Sequence, residues 1–172
     1  MGLRGHHKAT TVTVKTASFL VVRLGKNFYA LPSHGVRGVL TREEAGSGQT
    51  VTAVGVTYLD LDLAGRLAIA VDFTQPDTRT VLYSNGHSHG AIRVEEVIGM
   101  VDVERDQCKP LPPHFRQEER TWISGTFFFQ EHLVLALYPE WVLRELGEVV
   151  GAGAVGIRAK VLEPATPQGD TC

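Results

Sequence analysis

His89 to Val103 reads HGAIRVEEVIGMVDV. It is followed by KPLPP at Lys109–Pro113, WISGTFFF at Trp122–Phe129 and HLVLALYPEWVL at His132–Leu143. Short apolar runs separated by turn residues, with a single proline-initiated helix signal at the end, describe strands and hairpins rather than alternating strands and helices. No glycine-rich phosphate loop, nucleophile with its base, or metal-ligand spacing lies on these runs. The pattern points to a β-rich module whose work is done by its surface.

Working outward, Phe19 to Leu24 is almost wholly apolar and leads through Gly25-Lys26-Asn27 into Phe28 to Leu31, a hairpin pattern that Pro32 ends. Before it, Thr10 to Thr16 alternates as a half-buried strand does. Val36 to Leu40 forms another apolar element, and Thr41 to Gln49 is read as a loop from its Gly, Ser and charge content. From Thr50 to Leu63 the chain is extended, with a phase slip near Ala53 and Val54 that is read as a β-bulge. Asp62 to Leu67 can start a short helix. Thr80 to Tyr83, His89 to Val94 and Val97 to Val103 read as further strands. Thr121 to Phe129 and Leu133 to Tyr138 pair around Gln130-Glu131-His132. Pro139 suits the first turn of a helix, with Val142, Leu146, Val149 and Val150 forming its apolar stripe and Gly151 its stop.

Bulk composition excludes several classes. The chain has 172 residues, 43% hydrophobic and 21% charged, with a net charge of -2. That is one domain by size, without the basic excess that nucleic acid requires. Met1 to Ser18 lacks the apolar core of a signal peptide. The longest apolar runs, Phe19 to Val22 and Leu133 to Tyr138, fall far short of the roughly 20 residues that span a bilayer. Cys108 and Cys172 do not form a disulfide framework, so the expectation is a soluble, cytoplasmic protein with reduced thiols, no membrane insertion and no nucleic-acid partner.

Candidate chemistry is sparse. His87-Ser88-His89 could present two imidazoles on one strand face, but zinc wants three or four ligands and the neighbouring Asn85-Gly86 marks an exposed turn. Asp60 and Asp62 share a face, yet between leucines they read as the solvent side of an amphipathic strand. Asp102, Glu104 and Asp106 lack the glycine and closing glutamate of a calcium loop. Trp122 and Trp141 read as core, and Cys108 as an ordinary loop cysteine. No cofactor is expected, and no enzyme. A different class of reading keeps His87 and His89, as a small-molecule- or metal-binding β-barrel protein.

Taken in order, the motifs resemble the CheW-like family of chemotaxis coupling proteins from about Phe19 to Leu143. Phe19–Gly25 with Phe28–Leu31 looks like that family's first hairpin, and Asp62-Leu63-Ala64 before Arg66-Leu67 like the close of its first half. Asp60-Leu61 and Asp72-Phe73 are rival alignments for that close. Gly90–Gly99 is similar to the second-half signature, with Glu95 where an aspartate is usual. Lys109–Pro112, Trp122–Gly125 and Leu135–Glu140 match the closing motifs. The family's Asn-Leu-Arg-Gly turn is absent, and Glu44 to Val56 is shorter and carries Gly46-Ser47-Gly48.

The resemblance implies a mainly β fold: two five-stranded SH3-like sub-barrels sharing a core, with a short C-terminal helix. The expected division is an arm over 1–17, partly disordered, a domain over 18–150 and a flexible tail over 151–172. Within the domain the sub-barrels fall at about 18–75 and 76–138, and the helix at 139–150. The implied function is a non-enzymatic adaptor between a chemoreceptor's cytoplasmic tip and the regulatory domain of a CheA-type histidine kinase, with other CheW-like proteins as a further partner class. Val36, Val39 and Leu40, beside the altered loop, are the candidates for a kinase-facing edge, and Val97 and Ile98 for the groove between barrels.

Overall fold

A computed structural model describes residues 15–144. Ten strands form two five-stranded sheets. The first is ordered β8-β1-β2-β10-β9, from β1 (Thr16–Leu24), β2 (Asn27–Pro32), β8 (Glu96–Glu104), β9 (Ile123–Phe129) and β10 (His132–Leu137). The second is ordered β3-β6-β7-β5-β4, from β3 (Val36–Thr41), β4 (Thr50–Ala53), β5 (Val56–Leu61), β6 (Arg79–Ser84) and β7 (His89–Val94). Both sheets repeat one pairing scheme: all neighbours are antiparallel except β2 with β10 and β5 with β7. Short helices α1 (Arg42–Ala45), α2 (Leu63–Arg66) and α3 (Pro139–Val142) sit at strand ends.

The mainly β, two-sheet architecture agrees with expectation, but the sheets do not divide near residue 75. β1 and β2 join β8 to β10, so the first sheet is assembled from both ends of the chain and the second from its middle. The phase slip near Ala53 also resolves differently. It is a hairpin turn, with Val54 at φ 50° and Gly55 at φ 75°, and Ala53 paired with Val56. Two left-handed residues in sequence give the turn whose twist matches its strands. Thr41 to Gln49 is not all loop: Thr41 and Glu44 form a reciprocal capping box that starts α1. The Thr10–Thr16 strand lies mostly outside the described residues, as do the arm, the tail and the expected helical residues 145–150.

Apolar strands buried on both faces explain the arrangement. Along β1, Leu20, Val22 and Leu24 enter the central cluster between the sheets, while Phe19 and Val21 enter a second cluster within the first sheet. β6 and β7 do the same in the second sheet. Val81, Tyr83, Ile92 and Val94 face the central cluster, and Leu82 and Ala91 a third one. Each such side chain contributes about 1.5–3 kcal/mol when fully buried. α2 adds Leu63 and Ala64 to the centre, and α3 adds Val142 with Leu143 beyond it.

One polar contact crosses the junction. Glu95 lies between β7 and β8, where the chain passes from the second sheet to the first, and is 9% exposed. Its carboxylate accepts from the Gly25 amide in the β1–β2 turn and from the Asp72 amide at 3.1 Å, and pairs with Arg23 at 3.6 Å. Its own amide donates to the Arg23 carbonyl at 3.2 Å. Two backbone amides and one guanidinium, from two distant segments, therefore converge on one buried carboxylate.

Glu95→Ala leaves those amides without an acceptor and is expected to cost about 2–3 kcal/mol, read by urea denaturation. An unchanged unfolding midpoint would contradict the bridging role. Asp72 supplies a pH marker: hydrogen bonds from the Thr74 hydroxyl, the Gln75 amide and the Thr74 N–H hold its carboxyl at about 2. Because the folded value lies below the unfolded one, this stabilisation is present above about pH 4 and lost as pH falls through the folded value. Carboxyl NMR titration should show that low midpoint, and a midpoint near 4 would rule the turn out.

Candidate functional site

A groove of about 620 Å³ opens along the first sheet's end. Its apolar floor is Phe19 from β1 and Leu137 from β10; Pro32, Ser33 and His34 form one wall, and Tyr138, Pro139 and Glu140 another. Local chemistry sets each wall. Pro32 ends β2 and begins a single 3₁₀ turn, Ser33–Gly35. The Tyr83 hydroxyl donates to the Pro32 carbonyl at 3.2 Å, and Gly35 lies so close to the Tyr83 ring that a Cβ there would collide with it. Burial pushes the Tyr83 phenol well above its usual value, which keeps it a donor. On the opposite wall Pro139 occupies the first turn of α3, as its fixed φ favours.

The polar groups at the groove are tied to the scaffold. Ser124 donates to the Ala136 carbonyl at 3.2 Å, and Ser18 donates to Asp102. His34 and Glu140 supply the ionisable groups. The groove thus presents an apolar floor with a mixed rim.

The residues singled out in the sequence are distributed as follows. Val36, Val39 and Leu40 lie on β3, an edge strand of the second sheet, and Val97 and Ile98 on β8, an edge strand of the first. Val39 is 40% exposed. The other four are half-buried: Val36 and Val97 lean on the central cluster from opposite sheets, Leu40 on the third cluster and Ile98 on the second. None of the five lines the groove. The groove's own residues were not among the candidate contacts, although Tyr138, Pro139 and Glu140 fall in the closing motif and Pro32 ends the first hairpin.

The chemical candidates also find places. Asp60 pairs with Arg93 at 3.4 Å, and Asp62 caps α2 by accepting from the Gly65 amide at 2.9 Å. His87 is exposed. His89 stands edge-on to Tyr58 at 5.5 Å with its Nδ1 buried and unbonded, and among the described residues no three His, Cys, Asp or Glu gather. Cys108 is held in a disulfide and is therefore no free thiol. Trp122 and Trp141 are half-buried rather than core. They stack at 5.4 Å, and the Arg66 guanidinium lies 4.0 Å over the Trp141 ring. Arg66 also donates to the Val142 carbonyl at 2.8 Å, locking α2 to α3. Among the described residues no helix is long and apolar enough to cross a membrane.

Comparison with known proteins completes the description. Curated protein sequences provide no match. Among solved structures, the scaffolding protein TtCheW from Thermoanaerobacter tengcongensis is similar, with a TM-score of 0.61 at 14% identity over 80% of this chain and 90% of that one. At that identity the likeness bears on the fold alone. The CheW-like domain family matches residues 18–147, and with the sheet order and junction described above, the chain belongs to the CheW-like domain family.

Proposed function

We propose that this protein is a non-enzymatic adaptor of a bacterial chemosensory system, coupling a chemoreceptor's cytoplasmic tip to the regulatory domain of a CheA-type histidine kinase. The observation that carries this reading is the family match over 18–147. The groove supports it physically, because an apolar floor with a mixed rim suits a protein surface better than a reacting small molecule. Other CheW-like proteins form a further class of partner, and such partners imply a cytoplasmic setting. The kinase-facing edge is assigned to β3, with Val36 and Leu40 holding the strand to the core and Val39 outermost. On the first sheet, Val97 and Ile98 support the edge strand from within.

Calorimetry of the purified full chain against a kinase regulatory domain and against a receptor tip tests the reading. Binding to at least one at tens of micromolar or tighter is expected, since weak functional interfaces fall in that range. No heat with either at about 100 µM would remove the proposal. Val39→Asp should weaken kinase binding about tenfold or more, by placing a charge in an apolar contact. Because Val39 is 40% exposed, the circular dichroism spectrum should not change. Undiminished affinity would move the contact away from β3.

A further inference from the structure

Neither wall of the groove stands on the first sheet alone. On one side the Tyr83 hydroxyl, from β6 in the second sheet, holds the Pro32 carbonyl. On the other side the wall is Tyr138, Pro139 and Glu140, the entry to α3. A helix of four residues has little stability of its own, so its contacts decide where it lies.

Arg66 reaches α3 from α2. Its Nη1 donates to the Val142 carbonyl at 2.8 Å and its Nη2 to the Trp141 carbonyl at 2.5 Å. A planar guanidinium that donates twice fixes direction as well as distance, which a single bond does not. The same group lies 4.0 Å over the Trp141 ring, which stacks on Trp122 at 5.4 Å. α2 is a firm base for this reach. Asp62 caps it by accepting from the Gly65 amide, and Leu63 and Ala64 are each 1% exposed in the central cluster. Arg66 does not line the groove, so whatever it does there passes through α3.

We infer that Arg66 is a positioning residue of the groove: from α2 it fixes the Tyr138–Glu140 wall, and so sets the groove's fit to a partner's surface. The wall is then pinned at both ends. At its start the Tyr138 amide donates to the Trp122 carbonyl at 3.0 Å, just before β9. At its end stand the two carbonyls that Arg66 holds. Without Arg66 the wall stays hinged at Tyr138 and loses its far restraint. A wall already in place spares a partner the ordering of Tyr138 to Glu140 on binding. The binding consequence rests on the adaptor reading, while the position of the wall stands without it.

Nitroxide labels on His34→Cys and Glu140→Cys, one on each wall, test the position in the full chain without a partner. Electron paramagnetic resonance should give a single narrow distance distribution that widens in Arg66→Met. Arg66→Lys, which keeps the cation and can reach one carbonyl, should fall between. Hydrogen exchange should show the Val22 amide protected in all three, so that the fold is intact. A distribution as narrow in Arg66→Met as in the parent overturns the inference, and a lowered unfolding midpoint alone would then mark Arg66 as a stability contact. Calorimetry of the unlabelled chains against the kinase regulatory domain and the receptor tip reads the consequence. Arg66→Met should weaken binding to at least one of them about tenfold, with Arg66→Lys between. Unchanged affinity for both overturns the inference. A parent chain that binds neither removes the adaptor reading instead, and the distance measurement alone then decides the role of Arg66.

Discussion

Glu95 stands where the chain passes from one sheet into the other, and the pairing of the sheets depends on that passage. A carboxylate so little exposed is costly unless its oxygens are engaged, and here they are engaged by the Gly25 and Asp72 amides and by Arg23. Those partners belong to the β1–β2 turn and to the long connection before β6. One side chain therefore sets the first hairpin, that connection and the β7–β8 crossover against one another. An aspartate here would be one methylene shorter. The glutamate lets the same backbone position reach both amides.

Around that junction the energetics are those of burial. The central stretches of β1, β6 and β7 and the second half of β10 send alternate residues to different clusters, so those stretches have no solvent face to vary. Function is left to what remains outside: the edge strands, the connections and the ends of the sheets. The groove over Phe19 and Leu137 arises in this way. Its walls are the points where β2 and β10 are stopped by proline, one held by the Tyr83 hydroxyl and the other by the start of α3.

Most strands were legible from apolar runs and turn residues, with boundaries within a residue or two at β2, β6, β7 and β10. The Val54-Gly55 hairpin was misread as a bulge because its strands are only four and six residues long, too short to establish two phases. α1 was passed over as loop, although Thr41 and Glu44 carry the spacing of a capping box. The steps of two from Leu67 through Ile69 and Val71 to Phe73 match their packing on the central cluster. For the site the gap is wider. Val36, Val39 and Leu40 are apolar residues beside the altered loop and Val97 and Ile98 were expected in the groove between barrels, yet all but Val39 are half-buried supports.

By itself the sequence determined a β-rich fold, because strand period and turn chemistry are local properties. It determined the family as well, through the order of short motifs along the chain. Only the tertiary structure decided which strands share a sheet. β1 and β2 pair with strands some 70 to 110 residues later, and nothing in a local pattern records a partner at that distance. Likewise, whether an apolar residue such as Phe128 or Phe127 lies in core or in solvent depends on what packs above it, a fact that adjacent residues on one strand cannot carry.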